Sequence, residues 1–134
     1  MRSVGKMHRP KGGVRERCSS PLDLRHKTLR NRITFGAHTA NMSVNGLPGD
    51  QFGAYLLERA LGGAGMILTG NVMIDGDAMT GPGGVVLERM TELSRFKRWA
   101  NAGKQNNTKM VMQINHPGRQ VYEKMQGKVL SPSD

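Results

Sequence analysis

Several things that ordinary domains rely on are scarce here. The 134 residues contain one cysteine, Cys18, which excludes an internal disulfide and any cysteine cluster for zinc or iron–sulfur within the chain. A reduced, cytoplasmic setting fits that usage. Three Phe, two Tyr and one Trp leave few large anchors for a core. No apolar run approaches the ~20 residues needed to cross a bilayer, and the first residues carry no apolar signal-peptide core. Nor does a Gly-x-Gly-x-x-Gly follow a strand and open a helix, as a dinucleotide-binding fold requires. Gly62-Gly63-Ala64-Gly65 precedes a strand instead.

Glycine and methionine, by contrast, are abundant, at 18 and 10 residues. Methionine fills irregular gaps without specifying one packing, and glycine adds backbone entropy that folding must overcome. Both suit a loop-rich, ligand-cradling protein. The charge is lopsided. Residues 1–32 hold ten Lys/Arg and two acids, a net of +8, and the remainder nets only +2. The high pI therefore belongs to the N-terminus. A basic arm of this kind can touch nucleic acid or acidic lipid. Without aromatic residues to stack on bases it reads first as a solvated, disordered leader over residues 1–18.

Along the chain, Leu22, Leu24 and Leu29 flank a polar turn at residues 25–27, the spacing of two short strands or a hairpin. Ile33 and Phe35 alternate in a strand ending at Gly36-Ala37, and residues 38–49 form a long Asn- and Gly-rich loop. Asp50 is the expected N-cap of a helix over residues 51–61, with Phe52, Tyr55, Leu56 and Ala60 on one apolar stripe. Residues 64–69, AGMILT, make a continuous apolar run, as a strand covered on both faces requires. A glycine-rich loop follows over residues 70–86. Thr91 is expected to cap a second helix to about residue 102, with Leu93, Phe96, Trp99 and Ala100 inward and Gly103 at its end. Residues 110–114 form the next buried strand. Strands separated by single helices mean right-handed βαβ units and a parallel sheet.

The stretch VMQINHPGRQ, residues 111–120, organises the rest. Gln113 is an expensive insertion in an apolar strand unless its amide is hydrogen-bonded. Pro117-Gly118 breaks the strand and lifts His116 and Arg119 onto a loop. The pattern Q-[IL]-x-H-x-G-R resembles the third barrel strand of the old yellow enzyme family of flavin oxidoreductases. Ser20-Pro21-Leu22 with the run from Thr28 to Ile33 resembles that family's entry into its first strand. Phe35-Gly36-Ala37-His38-Thr39 is similar to that strand's end, and Gly62-Gly63-Ala64-Gly65-Met66-Ile67 to the second strand. Ser131-Pro132-Ser133 resembles the segment beyond the third. GAHTANMS and GLPG lean toward the branch with dienoyl-CoA reductases and amine dehydrogenases or demethylases.

The resemblance implies an α/β fold, a TIM (β/α)₈ barrel, of which residues 19–134 supply the N-terminal hairpin and the first two to three βα units. It implies FMN at the C-terminal ends of the strands and NAD(P)H as reductant, with hydride passed to an activated alkene or related small-molecule acceptor. An amine-oxidising direction stays open. Ala37 and His38 would lend backbone to the isoalloxazine, and Thr39 a hydroxyl near flavin O4 and N5 that tunes electron acceptance. The His38 imidazole either faces the flavin or points away. Gln113 suits the pyrimidine edge, accepting from N3–H while donating to O2. His116 either orients its loop or faces substrate, and Arg119 pairs with a carboxylate elsewhere in a full barrel. After the second strand the family commonly shows Glu and a small residue. Gly70-Asn71 stand here, which makes Asn71 the cofactor-side residue to watch.

A complete barrel takes ~250 residues, so the chain reads as a truncated portion, inactive by itself and at most a weak flavin binder. Substrate residues of later strands, the phosphate site and any iron–sulfur cluster would lie beyond it, and oligomerisation would belong to the full-length parent. Two alternatives from other classes are a non-catalytic remnant and a small basic nucleic-acid-binding protein.

Overall fold

The computed structural model describes residues 13–121. Most of the basic leader and the Ser131-Pro132-Ser133 segment lie outside them. The leader's last residues depart from the disorder expected of them. They form a short exposed helix α1 (Val14–Ser19), whose start is closed by the Gly13 amide donating to Glu16 at 3.0 Å.

The leucine spacing delivers its hairpin. β1 (Leu22–Leu24) and β2 (Lys27–Leu29) pair antiparallel with Leu22 opposite Leu29, and Leu29 is buried. The chain then runs through β3 (Thr34–Phe35), helix α2 (Asp50–Leu61), β6 (Met66–Met73), helix α3 (Leu93–Gly103) and β8 (Lys109–Asn115). β6 is the central strand. β8 lies parallel along one edge of it, while β3 and the short β7 (Val85–Val86) pair in parallel at the lower and upper halves of the other. This is the arrangement of the opening units of a (β/α)₈ barrel.

One face of the sheet is covered by both helices. Phe52, Leu56 and Ala60 of α2 and Phe96 and Trp99 of α3 pack with Ile67 and Val72 of β6, with Met110 of β8 against them. The stripe predicted for α2 is the buried one, and Phe52 lies 5.0 Å from Trp99 between ring centroids. Full burial of each large side chain contributes about 1.5–3 kcal/mol.

The N-terminal ends of the strands are knotted by polar groups. The Arg30 guanidinium donates to the Ala60 and Ala64 carbonyls, both at 3.0 Å, and the buried Thr108 hydroxyl donates to Ala64 at 2.8 Å. Arg30 thereby adds a side-chain donor to the Ala60 carbonyl in the last turn of α2 and shares the Ala64 carbonyl just beyond it with Thr108. Gly65 is required in this knot, because a Cβ there would meet the Asn31 carbonyl at 2.7 Å.

Several boundaries differ from the sequence expectation. The loop over residues 38–49 contains a second hairpin, β4 (Ser43–Val44) with β5 (Leu47–Pro48). Asn45 and Gly46 turn it with φ of 52° and 74°, the positive pair that a tight Asn-Gly hairpin demands. Gly49 takes the N-cap of α2 and Asp50 is its first residue, where a carboxylate complements the helix dipole. Thr91 does not cap α3, whose N-cap is Glu92. Its hydroxyl accepts instead from the Glu88 amide at 2.7 Å. Leu93, expected inward, is exposed at the first turn. β6 runs on through Gly70 to Met73, four residues past the expected end of the strand. No helix of the described residues is long and apolar enough to cross a membrane.

The largest departure is β8. Its composition reads as a strand buried on both faces, yet Val111, Met112 and Ile114 are exposed, Ile114 by 66%. Among the described residues no strand pairs with its outer edge. An open apolar edge invites association. The 134-residue chain should therefore self-associate with rising concentration, and Ile114→Lys should lower the weight-average mass in sedimentation. A monomer at every concentration in both proteins would refute this.

Candidate functional site

Because β3, β6 and β8 are parallel, their C-terminal ends open on one side of the sheet. There the structure brings together Thr39, Asn71 and Gln113. Asn71 and Gln113 are register partners on β6 and β8, so their side chains stand side by side on one face. The Gln113 amide Nε2 donates to Asn71 Oδ1 at 2.6 Å. The Asn71 backbone amide donates to the Thr39 hydroxyl at 3.4 Å, a long bond that ties the segment after β3 to β6. Both amide side chains are half-buried.

The register that makes this pair is irregular. Leu68 pairs with Val111, but Asn71 pairs with Gln113, so β6 has one residue more than β8 between the two levels. That is a bulge at Thr69-Gly70. Thr69, 2% exposed, fills it. Its hydroxyl accepts from the Gln113 backbone amide at 3.0 Å and donates to the Gly70 carbonyl at 2.8 Å.

Gly70 is fixed by a close approach. A Cβ there would lie 2.5 Å from the Thr39 Cα and closer still to the His38 carbonyl. Residues 38 and 39 therefore cross directly over β6, which carries the Thr39 hydroxyl to Asn71. Ala37 and His38 are exposed just before that crossing. Beyond it, Gly83 holds φ of 73° against the Asn41 carbonyl, and its own carbonyl accepts from the Ser43 amide at 3.1 Å. The loop after β6 is thus clamped to the loop after β3.

His116 and Arg119 are not drawn into the cluster. The His116 Nδ1 accepts from the Gly118 amide at 3.1 Å, which shapes its own turn. Arg119 is exposed in the short 3₁₀ turn Gly118–Gln120 and makes no ion pair among the described residues. No group of three or more His, Cys, Asp or Glu among the described residues could hold a metal ion.

The pair has a definite polarity. With Gln113 Nε2 and Asn71 Oδ1 joined, the groups facing outward are Gln113 Oε1, an acceptor, and Asn71 Nδ2, a donor. Neither bonds to another described residue. A ring edge that alternates N–H and C=O would satisfy both. Sequence reasoning found Gln113 through its cost in an apolar strand, and reached Asn71 only as a departure from a family pattern. Thr69 was missed. Its signal was the Thr-Gly step closing AGMILT, which is silent about a bulge without the pairing partner.

Comparisons with known proteins bear on the family and the fold. The model of the NADH:flavin oxidoreductase / NADH oxidase family matches residues 19–134. The chain is 32% identical over 109 residues to the NADH-dependent flavin oxidoreductase iliE of Hypocrea jecorina, covering 77% of this chain and 27% of that protein. It is 30% identical over 102 residues to a probable N-methylproline demethylase of Rhizobium meliloti, covering 75% of this chain and 15% of that one. Among solved structures, a 2-naphthoyl-CoA reductase complex superposes with a TM-score of 0.77 at 25% identity, over 82% of this chain and 17% of that one. Morphinone reductase superposes with a TM-score of 0.74 at 23% identity, over 86% and 30%. These are barrel enzymes aligned to this chain along part of their length, and the fold here is the corresponding N-terminal part of a TIM barrel.

The Gly70 crossing yields a test. Gly70→Ala should cost about 1–3 kcal/mol, because backbone and not a flexible side chain meets the new methyl. Gly36→Ala, where a Cβ meets nothing within 4 Å, should be close to neutral. Equal urea midpoints for the two variants would remove the close approach.

Proposed function

Since the chain belongs to the NADH:flavin oxidoreductase / NADH oxidase family, we propose that it supplies one side of the FMN site of an oxidoreductase that reduces an activated alkene or related acceptor at the expense of NAD(P)H. The observation that carries this reading is the Asn71–Gln113 pair. Its outward acceptor and donor match the N3–H and carbonyl of a flavin pyrimidine, and the glycine at position 70 lets the backbone of His38 and Thr39 cross close enough to bring the Thr39 hydroxyl to Asn71. The chemistry that FMN supplies when bound is two-electron transfer, a hydride received from the nicotinamide and passed on to the acceptor.

The chain's own residues would bind and orient. Gln113 Oε1 accepts from the ring N–H while Asn71 Nδ2 donates to the adjacent carbonyl, and their mutual bond holds both amides in the needed rotamers. Thr39, whose oxygen already accepts from the Asn71 amide, keeps its proton to donate toward flavin O4 and N5. Ala37 and His38 offer backbone to the ring's edge. His116 and Arg119, outside the cluster, belong to the substrate side. The remainder of the site, including the phosphate subsite that barrels place after their seventh and eighth strands, would come from further βα units. The chain spans 27% or less of the curated relatives described above. It is accordingly read as a portion of a larger barrel, with little activity of its own.

The likeness to a probable N-methylproline demethylase favours amine oxidation as the second reading, which would use the same flavin contacts. The exposed Cys18 suits a reduced cytoplasmic setting.

Gln113→Leu tests the reading. It removes the outward acceptor and strands the Asn71 carbonyl, and should weaken FMN binding by roughly 1–3 kcal/mol, read by quenching of flavin fluorescence on titration. An FMN affinity equal to that of the unsubstituted chain would take Gln113 out of the site.

A further inference from the structure

The bulge in β6 changes more than spacing. Successive strand residues alternate faces, so positions an odd number apart normally point to opposite sides. Ile67 and Val72 are five apart, yet both belong to the core beneath α2 and α3. The extra residue at Thr69-Gly70 reconciles them. The same parity change turns Asn71 away from the helices, onto the face where Leu68 stands opposite Val111. Without it Asn71 would sit level with Ile114, and Gln113 would face Gly70.

A bulge leaves ladder groups without their usual partners, and buried ones are costly. Here a single side chain serves both. The Thr69 hydroxyl takes the Gln113 amide and gives its own proton to the Gly70 carbonyl, and at 2% exposure it does so away from water. Serine could make the same two bonds. Valine has the shape but neither bond.

We infer that Thr69 is the positioning residue of this site, its buried hydroxyl holding the bulge that brings Asn71 level with Gln113. The role toward flavin rests on the FMN reading above, whereas the role in register stands on the geometry alone.

The experiment compares the chain with Thr69→Val and Thr69→Ser by hydrogen exchange resolved at single amides, without flavin, and then by FMN titration. In Thr69→Val, exchange at the Gln113 amide should quicken by at least about tenfold, with core amides of α2 little changed, and FMN affinity should fall severalfold. Thr69→Ser should keep both within about threefold. Unchanged Gln113 exchange in the valine variant, or serine behaving like valine, would overturn the inference. Should the valine variant fail to fold, the unsubstituted chain decides. A slowly exchanging Thr69 hydroxyl proton with a nuclear Overhauser effect to the Gln113 amide supports the inference, and its absence overturns it. If the exchange pattern holds while Thr69→Val leaves FMN affinity unchanged, the role toward flavin fails and the register role of Thr69 is upheld.

Discussion

Between Leu68 and Asn71, β6 takes three steps while β8 takes two, and the parity change that follows reaches both sides of the sheet. On the helix side it lets Ile67 and Val72 share a core with Phe52 and Trp99. On the other side it sets Asn71 beside Gln113, where each amide gives the other a partner. A regular strand could satisfy one of these demands but not both. The bulge needs a glycine as well as a threonine, because the backbone at His38 and Thr39 crosses where a Cβ would stand.

The opposite ends of the strands are built to hold still. Arg30, Asn31 and Thr108 converge on the carbonyls of residues 60, 63 and 64, so the hairpin at the base, the end of α2 and the start of β8 share one polar knot. Its donors are half-buried or buried, which makes each bond costly to leave unmade. Rigidity at that end and glycine-rich loops at the other is the division of labour expected of a barrel that binds ligand at its C-terminal face.

Much of this was legible in the sequence because periodicity is a local property. The leucines at 22, 24 and 29, the stripe from Phe52 to Ala60 and the run AGMILT each announce an element without reference to distant residues. Gln113 was legible for a different reason, since an amide in an apolar strand must have a partner. What escaped depends on pairs. The bulge is defined only by β8, so nothing in Thr69-Gly70 reveals it. The caps went to Gly49 and Glu92 and not to Asp50 and Thr91, as helix starts are fixed by how the incoming chain arrives. Asn45-Gly46 carried a hairpin signal that the surrounding loop composition obscured. The apolar character of β8 was read correctly, but among the described residues nothing covers its outer edge.

The claim on which everything functional depends is that Asn71 and Gln113 together meet the edge of a flavin. Titrating FMN into the ¹⁵N-labelled chain while following side-chain amide resonances addresses it without requiring turnover. The Asn71 and Gln113 side-chain signals should shift together, along one binding curve shared with the flavin fluorescence. Signals that stay fixed while the fluorescence saturates, or shifts confined to residues away from the strand ends, would contradict it.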